Sequence, residues 1–415
     1  MEQTYFRKGF GLKDAIQGAL TVDYHSGLVD EIRTRGYELA SDGLTVRLAR
    51  EFGFCYGVDR AVEYAYETRT KFPDKRIFLV GEIIHNPHVN AKLAAMGITI
   101  IARSATGEFD FSPVTAEDVV ILPAFGVTRA DFERLRGQGC VLVDTTCGSV
   151  LNVWKRVESY ARDGYTALIH GKYFHEETKA TASQVTKYPG GKYLVVRDMA
   201  EARLVCDFIE RGTESEEALR ARFGSAASPD FDFARDLGRV GVANQTTMLS
   251  SESLAIAAEV RAAMSRRWGD GDAGRRFRSF DTICSATQDR QDAILKMLEQ
   301  GVDLAVVIGG YNSSNTNHLA ALCARTVRTY HVEDSECLDV AARTIRHKPA
   351  GAHDEVVAAD WLPAGALVVG VTAGASTPNN KVGEVIERIF QTRGTDLAAV
   401  LTPIPSDPAP HLASS

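Results

Sequence analysis

Short apolar runs and longer amphipathic stretches alternate along this chain. In "CVLVDTTCGSVLNVWKRV" an apolar run ends at Cys147, and Val150, Leu151, Trp154 and Val157 follow at the spacing of one helical face. "FRSFDTICSATQDRQDAILKML" repeats the pattern around Cys284, where the face is Ala293, Ile294, Met297 and Leu298, and "LTVRLAREFGFCYGVDRAVEYA" repeats it around Cys55. A second apolar run then leads to a glycine: Gly81 of "IFLVGEIIHNPHVN" is 26 residues past Cys55, Gly171 of "ALIHGKYFHEET" is 24 past Cys147, and Gly310 of "AVVIGGYNSSNTNHL" is 26 past Cys284. Four positions beyond each glycine stands a polar side chain: His85, His175 or Ser314. A third run closes each unit in small or polar residues, "VVILPAFG", "RVGVANQTTML" and "ALVVGVTAGASTP".

This periodicity predicts three copies of one strand-loop-helix unit, hence an α/β protein of three similar lobes with mainly parallel sheets. The expected divisions are an N-terminal extension over 1–44, a first lobe over 45–140 with Cys55, a second over 141–278 with Cys147, a third over 279–390 with Cys284, and a tail over 391–415. The extension shows no chemistry of its own and is left to wrap a lobe or to support self-association. The charged stretch 207–235 is expected to lengthen the second lobe at the surface. The proline-rich end, 402–415, is expected to be disordered.

Length and composition fit this picture. The 415 residues are 45% hydrophobic and 24% charged, as in an ordinary multi-domain globular protein. A net charge of -7 argues against a nucleic-acid or membrane-surface partner. No apolar run has the length of a membrane span, and "MEQTYFRKGFG" lacks a signal-peptide core, so the expected location is cytoplasmic. The seven cysteines are scattered singly, which is not a disulfide framework. Cys140, Cys206, Cys323 and Cys337 read as small buried hydrophobes.

Cys55, Cys147 and Cys284 remain. A thiol at a helix N-terminus is expected to have a lowered pKa and to favour the thiolate, the form that ligates metal. Ligands of open parallel sheets bind beyond the carboxyl ends of the strands. Three lobes about a pseudo-threefold axis would bring the cysteines together, with His85, His175, Glu177, Thr246, Thr247, Ser313, Asn315 and Ser376 around the same space. Structural zinc prefers four ligands at short spacings. Three cysteines from three lobes suit a 4Fe-4S cluster with one open iron, and the competing reading is three unrelated strand-end cysteines. His88, His170 and Asn86, taken singly, read as turn or cap residues. "HEET" pairs a histidine with a carboxylic acid, and "GGYNSSNTNH" offers small donors to an anion. Neither a Walker A motif nor GxGxxG is present, so no nucleotide cofactor is expected.

Taken together, FGFCYGVDRAV, GEIIHNP, VDTTC, HGKYFHEET, NQTTML, DTICSATQDRQDA, GGYNSSNTNHL and TAGASTP resemble the 4-hydroxy-3-methylbut-2-enyl diphosphate reductases. The likeness runs from about residue 5 to about residue 390 and is to the longer plant and cyanobacterial form. It implies a cloverleaf around an iron-sulfur cluster with Cys55, Cys147 and Cys284 as its three ligands. It implies that His85, His175, Ser313, Asn315 and Ser376, with Ser314 beside them, hold the substrate diphosphate. Glu177 matches the acid that relays a proton, and Thr246 the hydroxyl that positions the substrate alcohol, with Gln245 next to it. The implied reaction is a two-electron reductive dehydroxylation giving isopentenyl and dimethylallyl diphosphate. Its electrons would come from a ferredoxin or flavodoxin, and a homodimer is left open. The sequence departs from the family at Phe125, where the short form has histidine, at Gly148, where proline is usual, and at Asn379, where aspartate is frequent. A quinolinate synthase-like 4Fe-4S dehydratase and a non-catalytic cluster carrier or redox sensor are the rival functions.

Overall fold

The strand-length runs are buried on both faces, and this sets the architecture. Ile77–Val80, Val119–Leu122, Thr166–His170, Val240–Asn244 and Leu304–Ile308 are buried at every position, as expected for parallel strands sandwiched between helices. The computed structural model describes residues 4–105, 107–212, 216–280 and 282–401; the tail 402–415 lies outside them.

The strands form three mainly parallel sheets. The first runs Tyr5–Phe6, Val141–Asp144, Val119–Leu122, Ile77–Val80, Ile98–Ile101, all parallel. The second runs Phe277–Ser279, Val240–Asn244, Thr166–His170, Tyr193–Val196, again all parallel. In the third, Glu38–Ser41 joins antiparallel to Leu44–Leu48, and Leu367–Ala373, Leu304–Ile308 and Arg328–Val332 continue in parallel. Without the added edge strands Tyr5–Phe6 and Glu38–Ser41, all three share one order. The strand leading to a cysteine pairs with the strand of the third run, then that of the second run, then an outer strand. A small antiparallel sheet, Leu338–Asp339, Thr344–His347 and Val356–Ala359, is appended beside the third.

The expected lobe boundaries at 45, 141 and 279 fall on strands Leu44–Leu48, Val141–Asp144 and Phe277–Ser279, each of which pairs in one sheet while the helix that follows packs on another. Leu44–Leu48 belongs to the third sheet, yet the helix after Cys55, Tyr56–Lys71, packs Val58, Ala61, Val62 and Ala65 with Ile77, Leu79 and Ile121 of the first. Val141–Asp144 belongs to the first sheet, while helix Gly148–Arg162 packs Val153, Val157 and Tyr160 against the second. Phe277–Ser279 belongs to the second, while helix Ser285–Glu299 packs Ile294 with Ala305 and Val307 of the third. Each cysteine is therefore a crossing point between two sheets. Local pattern cannot show this, because strand pairing is decided over long sequence separations.

Other expectations are refined. Ala293, Ile294 and Met297 are buried as read. On helix Gly148–Arg162 the buried face is Val150, Val153, Val157 and Tyr160, and Leu151 and Trp154 are half-buried beside a groove. The stretch 207–235 is not merely superficial: Ile209, Leu219, Phe223, Phe231 and Phe233 are buried in the core of the second sheet. Cys140, Cys206, Cys323 and Cys337 are buried, and Asn86 caps helix Pro87–Ala95 by accepting from the Val89 N–H. His170 is not a cap; it is buried with its Nδ1 2.8 Å from Ser253 Oγ.

The first 44 residues lie across two sheets. Tyr5–Phe6 extends the first sheet, helix Lys13–Tyr24 contacts helices Tyr56–Lys71 and Asn379–Thr392, and helix Gly27–Thr34 rests on the latter. A buried carboxylate fastens the turn between strand and helix. Glu67 accepts from the Phe10 N–H at 2.5 Å and the Leu12 N–H at 2.8 Å. Glu67→Ala orphans both amides, and a loss of about 1–3 kcal/mol is expected. Limited proteolysis near residues 8–12 should precede any cleavage elsewhere; an unchanged digestion pattern and Tm would remove Glu67 from this role.

Candidate active site

Each crossing places its cysteine as the N-cap of the following helix. Backbone bonds fix two of them: the Cys147 N–H donates to Ala124 O at 2.8 Å and the Cys55 N–H to Ala375 O at 3.3 Å. Arg290, on the helix after Cys284, donates to Gly53 O at 2.7 Å, so it ties that helix to the loop of Cys55. Ser149 Oγ, two positions past Cys147, donates to Cys284 Sγ at 3.3 Å. The three cysteines line one cavity of about 710 Å³, open solvent at its mouth included. Gly57 explains how they come so close: a Cβ there would stand 2.4 Å from Cys147 Sγ and 3.9 Å from Cys55 Sγ.

The thiols themselves depart from expectation. Burial pushes Cys55 and Cys147 above the ordinary thiol range. The Val58 N–H at Cys55, and those of Ser149 and Val150 at Cys147, pull the other way without prevailing. Their thiolates therefore require a positive partner. Among the described residues no three His, Cys, Asp or Glu side chains converge on a point that would hold a single metal ion. Three sulfurs spread around a cavity floor fit a polynuclear cluster better than zinc.

His85, His175, Glu177, Thr246, Ser313, Ser314, Asn315 and Ser376 line the same cavity, as does Thr247. Several are held so that one polar atom is left over. Glu82 lies 2.8 Å from His85 Nδ1, and Phe125 stacks on the ring at 4.7 Å; Nε2 is buried without a partner. His175 caps helix Glu176–Ser183 by accepting the Glu177 N–H at Nδ1, and its Nε2 is likewise buried without a partner. Burial, with His85 close by, holds the His175 imidazole well below its usual pKa. The ring is thus neutral with its proton on Nε2. Ala375 N–H donates to Asn315 Oδ1 at 2.9 Å; among the described residues the amide Nδ2 and Ser314 Oγ have no partner. Ser313 caps helix Ser314–Ala324, and Ser376 Oγ donates to His85 O at 3.1 Å.

Glu177 is buried, and its Oε1 accepts the Thr246 N–H at 2.5 Å. Burial raises its carboxyl to about 7, against the pull of the Thr246 backbone and hydroxyl. A carboxyl with that value exchanges a proton near neutral pH.

Gln245 does not line the cavity. Its Oε1 accepts from the Lys172 N–H at 3.1 Å and Thr178 Oγ1 at 3.0 Å, and its Nε2 donates to Thr247 Oγ1 at 2.7 Å. It braces the HEET and NQTT loops against each other. Thr287, Arg290 and Glu82 escaped the sequence reading. Thr287 lines the cavity from within a helix rather than from a strand-end loop, and Arg290 and Glu82 act through a neighbour. Phe125 substitutes a stacking face for a polar contact. Asn379 is the first residue of helix Asn379–Thr392, whose cap is Pro378.

A model of the family described as LytB protein matches residues 46–390. The chain belongs to the LytB family. A relative from Gloeobacter violaceus is 49% identical over 94% of this chain and 93% of its own length, and one from Cyanothece sp. is 45% identical over 95% and 96%. Both are named 4-hydroxy-3-methylbut-2-enyl diphosphate reductase. A solved structure of (E)-4-hydroxy-3-methyl-but-2-enyl diphosphate reductase, described as the terminal enzyme of the non-mevalonate pathway, is 26% identical with a TM-score of 0.51. It is covered over 99% of its length by 83% of this chain. A reductase structure from Plasmodium falciparum, 20% identical, shares the fold with a TM-score of 0.60 over 83% of this chain and 87% of its own. No helix among the described residues is long and apolar enough to cross a membrane.

The raised carboxyl of Glu177 has a consequence for stability. Folded, it keeps its proton up to about 7; unfolded, it loses it near 4.5. The native state therefore binds the extra proton between these values, and its stability falls as pH rises through them. Glu177→Gln abolishes that dependence while keeping an acceptor for Thr246. Thermal unfolding should give equal Tm values at pH 4 and a more stable variant at pH 8, by about 3 kcal/mol. Parallel pH profiles would show that the carboxyl is not raised.

Proposed function

We propose that this chain reduces 4-hydroxy-3-methylbut-2-enyl diphosphate to isopentenyl and dimethylallyl diphosphate, with one 4Fe-4S cluster held by Cys55, Cys147 and Cys284. We read the three sheets as a pseudo-threefold cloverleaf with the cluster at its centre. The observation that carries this reading is a single cavity containing three thiols, a carboxylic acid raised to about 7, and four buried polar atoms without partners. Unpartnered buried donors are costly unless a ligand completes them. His85 Nε2, His175 Nε2, Ser314 Oγ and Asn315 Nδ2 suit the oxygens of a diphosphate. A cluster carrier or redox sensor has no use for them.

When bound, the cluster supplies single electrons and an open iron acting as a Lewis acid on the substrate's carbon–oxygen bond. The protein does the rest. His85, His175, Ser313, Ser314, Asn315 and Ser376 bind the diphosphate, and Glu82 keeps His85 in the orientation that presents Nε2. Val58, Ile84, Ala124, Val150, Ala286 and Ala375 give the five-carbon chain an apolar wall and keep water from the reacting bond. Thr246, hydrogen-bonded to Glu177, positions the substrate hydroxyl, and Glu177 delivers the proton with which it leaves as water. Two electrons and two protons complete the balance. The electrons come from a ferredoxin or flavodoxin, and we place the reaction in the cytoplasm.

Anaerobically prepared, cluster-replete protein should turn over the hydroxymethylbutenyl diphosphate with reduced methyl viologen; no product would sink the proposal. Glu177→Gln should keep iron, sulfide and substrate binding yet lose about 10²–10⁴ in kcat. Wild-type kcat should fall as pH rises through about 7, because the acid form of Glu177 is lost. Separately, Asn315→Asp sets a carboxylate against the bound diphosphate while still accepting from Ala375 N–H. A rise in KM of roughly a hundredfold is expected from one like-charge contact in a buried site; an unchanged KM would take Asn315 out of the anion site.

A further inference from the structure

The reductase reading requires electrons from outside, and the chain has neither a Walker A nor a GxGxxG motif through which a nucleotide cofactor would enter. The three cysteines line the cavity, and the residue that follows each, Tyr56, Gly148 or Ser285, is the first of its helix and is exposed. At Gly148 there is open space outside the backbone, where a Cβ would meet nothing within 4 Å.

The helix that starts there continues the same exposed stripe. Gly148, Asn152, Lys155 and Arg156 recur at the spacing of one helical face, and all are exposed. The first acidic residue of this helix is Glu158, which is bound to Lys187 at 2.7 Å. Lys155 and Arg156 pair with no carboxylate among the described residues. The Arg156 guanidinium instead lies 4.0 Å over the ring of Phe280, four positions before Cys284 and 42% exposed. Arg60, on the helix after Cys55, donates to Arg7 O at 2.8 Å and to Tyr64 OH at 2.9 Å, so it too lacks a carboxylate, and neighbouring Tyr56 is 79% exposed. Asp59 and Asp289 place acidic charge early on the helices after Cys55 and Cys284, whereas helix Gly148–Arg162 carries none before Glu158, although Lys155 borders a groove that Glu133 and Glu158 also line. In a chain of net charge -7, this positive stretch on the helix that begins beside Cys147 stands out.

We propose that electrons enter at the Cys147 corner, from an acidic one-electron carrier protein docked over Gly148, Asn152, Lys155, Arg156 and the rim formed by Phe280 and Tyr56. This rests on the reductase reading above. From Gly148 to Arg156 the stripe spans about 12 Å at 1.5 Å per residue, within the footprint of a small transient redox interface. Each docking passes one electron from the reduced carrier, which is oxidised by one equivalent. Two dockings with two protons turn the carbon–oxygen bond into a carbon–hydrogen bond and water. Charge steering predicts that association is fast and falls steeply with salt.

The test is the charge reversal Lys155→Glu with Arg156→Glu in cluster-loaded protein. Neither residue touches the cavity, so iron content and viologen-driven turnover should match wild type. With a reduced plant-type ferredoxin as donor, kcat/KM for the carrier should fall on the order of tenfold or more at low ionic strength, and its salt dependence should flatten. Titration calorimetry with a redox-inert, gallium-substituted ferredoxin should show weakened binding to the same degree. Arg60→Glu should have the smaller effect. Equal carrier affinity and equal kcat/KM in the double variant would overturn the docking surface while leaving the reductase reading intact. Absence of viologen-driven turnover in wild type would instead overturn the reading on which it rests.

Discussion

The structure depends on one topological constraint: at three points the chain leaves a parallel sheet and begins a helix that belongs to the next one. A strand end and a helix start then coincide with a boundary between cores. The residue at that point is held by backbone bonds from two sides, as Cys147 is by Ala124 O and as Cys55 is by Ala375 O. Because the three crossings run from the third sheet to the first, the first to the second and the second to the third, they close on one another. That closure brings three thiols into one cavity, and it demands glycine at position 57, where any side chain would strike Cys147.

Desolvation then shapes the chemistry. Removed from water, the Cys55 and Cys147 thiols resist ionisation, His175 stays neutral, and Glu177 retains its proton to about 7. These shifts run in the same direction: burial in the cavity wall disfavours charge. A cationic cluster core would offset the charge of the three thiolates, and a diphosphate would complete the unpaired atoms of the histidines, Ser314 and Asn315. The apolar wall strengthens every such interaction by excluding solvent.

Much of this was legible in the chain because it is written locally and three times. The strand-cysteine-helix pattern, the glycine at a fixed distance and the polar group four positions later need no tertiary knowledge, and His85, His175 and Ser314 do line one cavity. Gln245 was placed beside Thr246 by adjacency alone, which says nothing about direction; its side chain bonds to Lys172, Thr178 and Thr247 between the loops. Arg290 and Glu82 were overlooked because each acts on a partner distant in space or on its ring's orientation. Leu151 and Trp154 satisfied helical periodicity but face a groove, since the buried arc of that helix is set by the second sheet.

The sequence by itself determined the repeat, the buried strands and helix starts, and the residue types of the site, because hydrophobic period and helix capping are short-range physics. Only the tertiary structure decided which sheet each strand joins and where each side chain's spare polar atom is left. Those outcomes depend on pairing between residues as far apart as Tyr5 and Leu142 or Leu44 and Leu367, whose register is settled by the competition of all strands for a buried partner.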